Sequence, residues 1–327
     1  MKILVFEYVC GGGLCAEDLP TGLAKEGLLM LSAMIKDLSA LPEHSFSVLI
    51  DCRFTHHFKA DFEMISIQKE SDILTIFKQA LVKVDSVWLV APESEGILFK
   101  FTRLVELADK QLLSPPSDSL VKMTDKWQTF QALSSHHIPT VTTAILTKNM
   151  PPFTGKVIIK KRDGVGCEDC FIMDSPLDLS QQLEYLTPPE KYIIQPFIHG
   201  ENLSLSAIFK HGNAELLCVN RQHIQIKNKH IKLQACEVNY AIEPTEFKLL
   251  LNKIALAFPR LWGYVGIDLI SHQQQWLVLE INPRLTSSYA GISQALHINV
   301  AAAILKLSYS ELEPFPISKH SIRINLH

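Results

Sequence analysis

The sequence predicts an α/β domain followed by an α+β region, and three observations carry that prediction. Up to about residue 113, short apolar runs rich in β-branched residues alternate with segments of helical periodicity, the signature of a parallel sheet covered by helices. At residues 114 to 119 "SPPSDS" breaks the alternation with two consecutive prolines among serines. Beyond it, strand follows strand with few helices between, as in α+β folds. With 327 residues the chain has room for two or three domains, and chains of this size bury roughly 75% of their unfolded surface.

The elements follow in order. "KILVFEYV" reads as a strand ending in Gly11, Gly12 and Gly13, and the segment from Pro20 to Leu38 carries helical periodicity, giving strand, glycine turn, helix. "FSVLIDCRF" and "SVWLVAPE" are further strands, and "LTIFKQALVKV" and "ILFKFTRLVELADK" further helices. After the proline break, "DKWQTFQALSSHHIP" is a helix stopped before Pro139, and "KVIIKKRDGVG" is a strand entering a glycine loop. "KYIIQPFIHGENLSLSAIFK" reads as a hairpin turning at His199 and Gly200. More strands start at "ELLCVNRQ", then a helix "EFKLLLNKIALAF", then the strand pair "YVGIDLIS" and "WLVLEINP".

Charge and cysteine usage exclude several classes. Thirty-one basic and 34 acidic residues are interspersed and leave a formal charge of -3, so no basic field exists for a nucleic acid or an anionic membrane. Small-molecule partners are expected. Glu7 interrupts the apolar opening before an export signal forms, and no run approaches the ~20 apolar residues that span a bilayer, so a cytoplasmic protein is expected. Seven scattered cysteines suit a reducing compartment. Cys167 and Cys170 form a CxxC, but Cys218 and Cys236 are too far apart to complete a zinc ribbon. His56-His57 and His136-His137 are given no role, because neighbours on a strand or helix diverge.

The stretch "LVLEINPRLTSSYAG" places an acid, an amide and a guanidinium within five positions. Strand alternation sends Glu280 and Asn282 to one face, and Asp268 on the neighbouring strand can join them. Oxygen donors without His or Cys suit Mg²⁺, which keeps its other positions for water and phosphate. Lys160 precedes a loop in which Gly164 and Gly166 let backbone N–H groups close over an anion, and Lys126 can supply a second charge for phosphate oxygens.

Asp125-Lys126, "VIIK" with its glycine loop, "YIIQPFIHGENLSLS", "GIDLI" and "LEINPR" stand in the order seen in the ATP-grasp superfamily, which residues 115 to about 292 resemble. The resemblance implies an ATP-grasp fold with an N-terminal parallel α/β (pre-ATP-grasp) domain over residues 1–114, a lid subdomain over 115–195 and a C-terminal subdomain with the metal site over 196–327. It implies ATP bound through Lys126, Lys160, Gly164 and Gly166, with Mg²⁺ or Mn²⁺ on Asp268, Glu280 and Asn282 and with Arg284 near the transferred phosphoryl group. Gln195 stands where the family usually has an acid, beside backbone contacts to adenine from around Phe197 and Ile198. Ribose falls to Glu201 or Asn202. The activity implied is amide formation through an acyl phosphate, from a small-molecule carboxylate and an amine. If the chain self-associates, a homodimer is the expected form.

"FEYVCGGGL", "AKEGLLML", "APESEGIL" and "INPRLTSSYAGI" are similar to the tyramine-glutamate ligase group of that superfamily, which acts in methanofuran biosynthesis. This likeness implies that the γ-carboxyl of glutamate is joined to tyramine, tyrosine or a similar aromatic amine. Gly12, Glu26 and Glu93 would face that pocket, with Ser287, Ser288 or Tyr289 orienting the amine. An amino-acid or peptide ligase with other substrates would share every ATP residue, and a nucleotide-binding regulator without turnover would share the fold.

Overall fold

A computed structural model describes the chain except residues 60, 149–153, 167–168, 241–242 and 327. The Cys167 half of the CxxC therefore lies outside the described residues.

The first half of the fold is a sheet of strands β1 (Lys2–Glu7), β2 (Ser45–Asp51), β3 (Glu63–Ile67), β4 (Ser86–Val90) and β5 (Gln111–Leu112) with helices α1 (Thr21–Ser39), α2 (Ile73–Leu81) and α3 (Ile97–Leu107). Its order is β3-β2-β1-β4-β5 with every pairing parallel. β1 is buried from Ile3 to Glu7, as the central strand of a doubly covered sheet must be. The order reverses between β1 and β4, so their C-terminal ends face a crevice at a topological switch point. The glycine turn after β1 and Glu93 after β4 both stand there. β3 and β5 were not foreseen; β3 is a half-exposed edge strand and β5 has two residues.

Helices α4 (Ser117–Met123) and α5 (Lys126–Ser135) lead into β6 (Ala144–Ile145), β7 (Val157–Lys161), β8 (Cys170–Met173), α6 (Pro176–Leu183) and β9 (Tyr192–Pro196). Then come β10 (Asn202–Lys210), β11 (Asn213–Lys227), β12 (His230–Val238), α7 (Thr245–Ala257), β13 (Trp262–His272), β14 (Gln275–Asn282), α8 (Tyr289–Leu296), α9 (Val300–Lys306) and β15 (Ile322–Asn325). These strands form one path, β14-β13-β10-β11-β12-β8-β7-β9-β6, with β15 on β12. Between its two halves the path is carried by a single register pair, His230 with Phe171.

The expected hairpin at His199 and Gly200 does not form. β9 pairs with β7 and β6, while β10 pairs with β11 and β13, so the segment between them crosses from one half of the sheet to the other. A Cβ at Gly200 would fall 2.0 Å from the Ser271 carbonyl oxygen, and only glycine allows that close crossing.

Phe247, Leu251, Ile254 and Ala255 form the apolar stripe that buries α7. A larger core joins the two halves of the molecule: Met34 and Leu38 of α1 share it with Ile292 of α8, Ile304 of α9 and Trp88 of β4. Among the described residues no helix is long and apolar enough to cross a membrane.

Candidate active site

A cleft of about 350 Å³ opens between β7 and β9 on one side and β10 to β14 on the other. Its polar end is built by register. β13 and β14 are antiparallel, with Asp268 directly opposite Glu280 and Gly266 opposite Asn282. A bulge follows, because Asp268 pairs with Glu280 while Leu269 pairs with Val278. The extra residue, Leu279, joins Glu280 and Asn282 on the cleft wall, and Val278 and Ile281 stay in the core.

Two carboxylates placed directly opposite each other repel. Burial and then the facing Glu280 push the Asp268 carboxyl up to about 6, against hydrogen bonds from Asn282 (3.2 Å) and Gln222 Nε2 (2.9 Å). Positive charge answers this. Lys126 Nζ sits 2.8 Å from Glu280 Oε1 and 2.6 Å from the Gly164 carbonyl oxygen in the glycine loop. Burial alone would depress its ammonium, but the Glu280 carboxylate outweighs that and holds it above its ordinary value. The donors, two carboxylates and an amide, suit a hard divalent cation completed by water and phosphate. Among the described residues no group of three or more His, Cys, Asp and Glu side chains is gathered for a metal, so these three carry the case alone. The rings of His56 and His57 lie 4.1 Å apart on a short 3₁₀ turn instead of diverging, and they belong to no such group.

Lys160, Gly164 and Gly166 line the same end. The glycine loop is docked from two directions: Arg162 Nε is 3.0 Å from Asp125 Oδ2, and the Glu95 amide donates to Asp163 Oδ2 at 2.8 Å. The other end is apolar, with Val141, Ile158, Pro196, Phe197 and Ile198 around the buried Gln195. The Phe197 N–H donates to the Lys156 carbonyl (2.9 Å), so that group is not open to a base. Of the two ribose candidates, Asn202 lines the cleft, whereas Glu201 pairs with Arg221 at 3.0 Å.

Arg284 does not line the cleft. Its Nε bonds both Glu93 carboxylate oxygens at 3.0 Å, and the two side chains are 14% and 5% exposed. Glu93 stands on the turn after β4, so the guanidinium is held at the switch point beside the cleft. Ser287 Oγ donates to Glu26 Oε2 at 3.0 Å, and Glu26 also lines the cleft. Ser288 instead enters a buried hydroxyl cluster with Ser206 (3.2 Å) and Tyr264 (3.3 Å). Tyr289 does not line the cleft: it is 1% exposed, and its OH donates to Asp37 Oδ2 (2.7 Å) in the packing of α8 on α1. Gly12 has φ of +91°, and a Cβ there would fall 2.4 Å from Ile67, so it shapes the turn by packing. Sequence reasoning missed Gln222, which alternates with Ile224 and Ile226, all facing the cleft, a period-two signal that "RQHIQIK" carries.

Residues 123–288 match the model of the ATP-grasp domain, and residues 44–120 match that of the pre ATP-grasp 3 domain. The chain is 27% identical to the tyramine--L-glutamate ligase of Methanocaldococcus jannaschii, over 99% of this chain and 94% of that one. A crystal structure from Archaeoglobus fulgidus assigned to the ATP-grasp superfamily superposes with a TM-score of 0.72 at 23% identity, covering 99% of this chain and 91% of that one. The biotin carboxylase domain of Hydrogenobacter thermophilus 2-oxoglutarate carboxylase, solved with MgADP, ADP and bicarbonate, gives a TM-score of 0.71 at 15% identity over 95% of this chain and 70% of its own.

Proposed function

This chain belongs to the ATP-grasp family and is an ATP-dependent ligase forming a carbon–nitrogen bond, and from that premise we propose that it joins the γ-carboxyl of glutamate to the amine of tyramine or a related aromatic amine through an acyl phosphate. The family uses ATP and a divalent metal; we assign the metal as Mg²⁺ or Mn²⁺ on Asp268, Glu280 and Asn282. The observation that carries the reading is the opposed Asp268–Glu280 pair, with Lys126 Nζ 2.8 Å from Glu280 Oε1 and with Lys160 lining the same cleft.

A carboxylate oxygen attacks the γ-phosphorus and ADP leaves; the neutral amine then attacks the activated carbonyl, phosphate leaves, and the amine proton is lost. The protein's task is charge and position more than covalent chemistry. A divalent cation held on the three oxygen donors would neutralise phosphate charge. Lys126 and Lys160 present ammonium groups to the phosphates, and the glycine loop covers them, which keeps water from the acyl phosphate. Asn202 is our choice for the ribose. Arg284, held beside the cleft by Glu93, is placed to turn to the transferred phosphoryl group, for which its planar fork is suited. Glu26 and Ser287 present an acidic, hydrogen-bonding wall to the amine. The 27% identity to ligases of this name along nearly the whole chain supports the substrate pair.

An ADP-release screen of glutamate against tyramine, tyrosine and other amines, with mass spectrometry of the product, tests it. We expect ADP only when acid and amine are both supplied, and a product one water lighter than their sum. ADP release indifferent to the amine, or no such product, would overturn the assignment.

A further inference from the structure

Residues 283–288 lie outside every strand and helix, yet they carry Arg284 and Ser287. Side chains hold them in place. Four hydroxyls from three parts of the chain close a ring: Thr286 Oγ1 lies 3.0 Å from the Tyr264 OH, Tyr264 lies 2.8 Å from Ser206 Oγ, Ser206 lies 3.2 Å from Ser288 Oγ, and Ser288 lies 2.9 Å from Thr286. Each hydroxyl brings one proton, so four protons fill the four edges, every oxygen donating once and accepting once. Asn220 Nδ2 adds a donor to Ser206 at 3.0 Å, and the ring is satisfied without water or ligand. Ser206, Tyr264 and Ser288 are buried, and none of the four residues lines the cleft. β13 makes room for the ring with a glycine: a Cβ at Gly266 would fall 2.5 Å from Thr286 Cγ2.

A ring so placed fixes direction. Thr286 and Ser288 anchor in it on either side of Ser287, whose own hydroxyl leaves the ring for Glu26 on α1, while Arg284 reaches Glu93 on the turn after β4. We propose that Tyr264 is a positioning residue for the amine, which through the hydroxyl ring pins the Thr286–Ser288 segment and so holds Ser287 against Glu26 where the amine binds. Tyr264→Phe removes one oxygen and no carbon. It opens two edges of the ring and leaves Ser206 and Thr286 each short of a partner, in a buried place where an unmade hydrogen bond is most costly. The hydrogen bonds of Lys126, Asp268 and Glu280 involve none of the four hydroxyls, so the ATP end of the cleft should be untouched.

This rests on the reading of Glu26 and Ser287 as the wall that meets the amine, and the two can fail separately. An unaltered chain that forms no product from glutamate and tyramine fails the function; the inference fails on the variants. At saturating ATP and glutamate, Tyr264→Phe should raise KM for tyramine about tenfold, change kcat less, and leave KM for ATP within about twofold. It should also speed hydrogen–deuterium exchange in residues 284–291, where the amides of Tyr289, Ala290 and Gly291 are bonded to the carbonyls of Thr286, Ser287 and Ser288. The exchange measurement needs no turnover, so it judges the pinning in either case. Thr286→Val keeps the shape and loses the hydroxyl, and should match Tyr264→Phe; Thr286→Ser keeps the hydroxyl and should behave as the unaltered chain. The double variant Tyr264→Phe with Thr286→Val should cost no more than either alone, because the ring is already open. Unchanged exchange in that segment, KM for ATP rising as far as KM for tyramine, or Thr286→Ser behaving like Thr286→Val would overturn the proposal.

Discussion

At the scale of single residues, the site gathers side chains whose charges answer one another. Glu280→Gln keeps a hydrogen-bond partner for Lys126 but removes half of the opposed carboxylate pair. ADP release should fall ~100-fold or more, the size of losing one electrostatic contact to a transition state, with the circular dichroism spectrum unchanged; undiminished release would end the metal assignment. Lys160→Met should raise the Kd for ATP about tenfold or more, as for a lost charge-assisted hydrogen bond, and a titration with unaltered affinity would count against its phosphate role. That Asp268, Glu280 and Asn282 share one face of the cleft was legible because strand periodicity fixes which side chains stand together. The bulge that adds Leu279 to that face was not, since it depends on pairing with β13. The burial of Tyr289 against Asp37 was not legible, because sequence nearness to Arg284 says nothing of direction once α8 begins.

At the scale of elements, two junctions hold the site in place. Asp125 caps α5 by accepting from the Trp127 and Gln128 amides and also receives Arg162 from the glycine loop. Asp125→Ala should cost about 1–2 kcal/mol, mostly the cap, seen as a Tm lowered by a few degrees. Asp37 of α1 is buried under α8, where burial raises its carboxyl above the ordinary value against the hydroxyls of Tyr289 and Ser293. A carboxyl raised on folding contributes stability below its unfolded pKa and loses it as pH rises through the folded one. Relative to the unaltered chain, Asp37→Asn should therefore gain Tm as pH rises from the acid to the neutral range; a difference independent of pH would contradict this. Helices α1, α3, α5 and α7 were readable from periodicity. β3, a half-exposed edge strand, and the β9–β10 crossing were not: the first has weak apolar contrast, and in the second Gln195 meets Ile158 and Thr143, which lie 37 and 52 positions away.

At the scale of the whole molecule, one turn ties the N-terminal sheet to the rest of the site. Glu93 holds Arg284, and two residues on the Glu95 amide holds Asp163 of the glycine loop. The α/β and α+β division was legible in the alternation of elements, whereas the shared core of α1, α8 and α9 was not, because it joins residues some 250 positions apart such as Asp37 and Tyr289. We propose that the whole assembly serves to phosphorylate a carboxylate, from which the amine then displaces phosphate. Glutamate labelled with ¹⁸O in its γ-carboxyl, supplied with ATP, Mg²⁺ and tyramine, tests it directly by mass analysis of the phosphate released. Each phosphate formed with the amide should carry one labelled oxygen from the acid; phosphate without label, alongside amide product, would rule out an acyl phosphate.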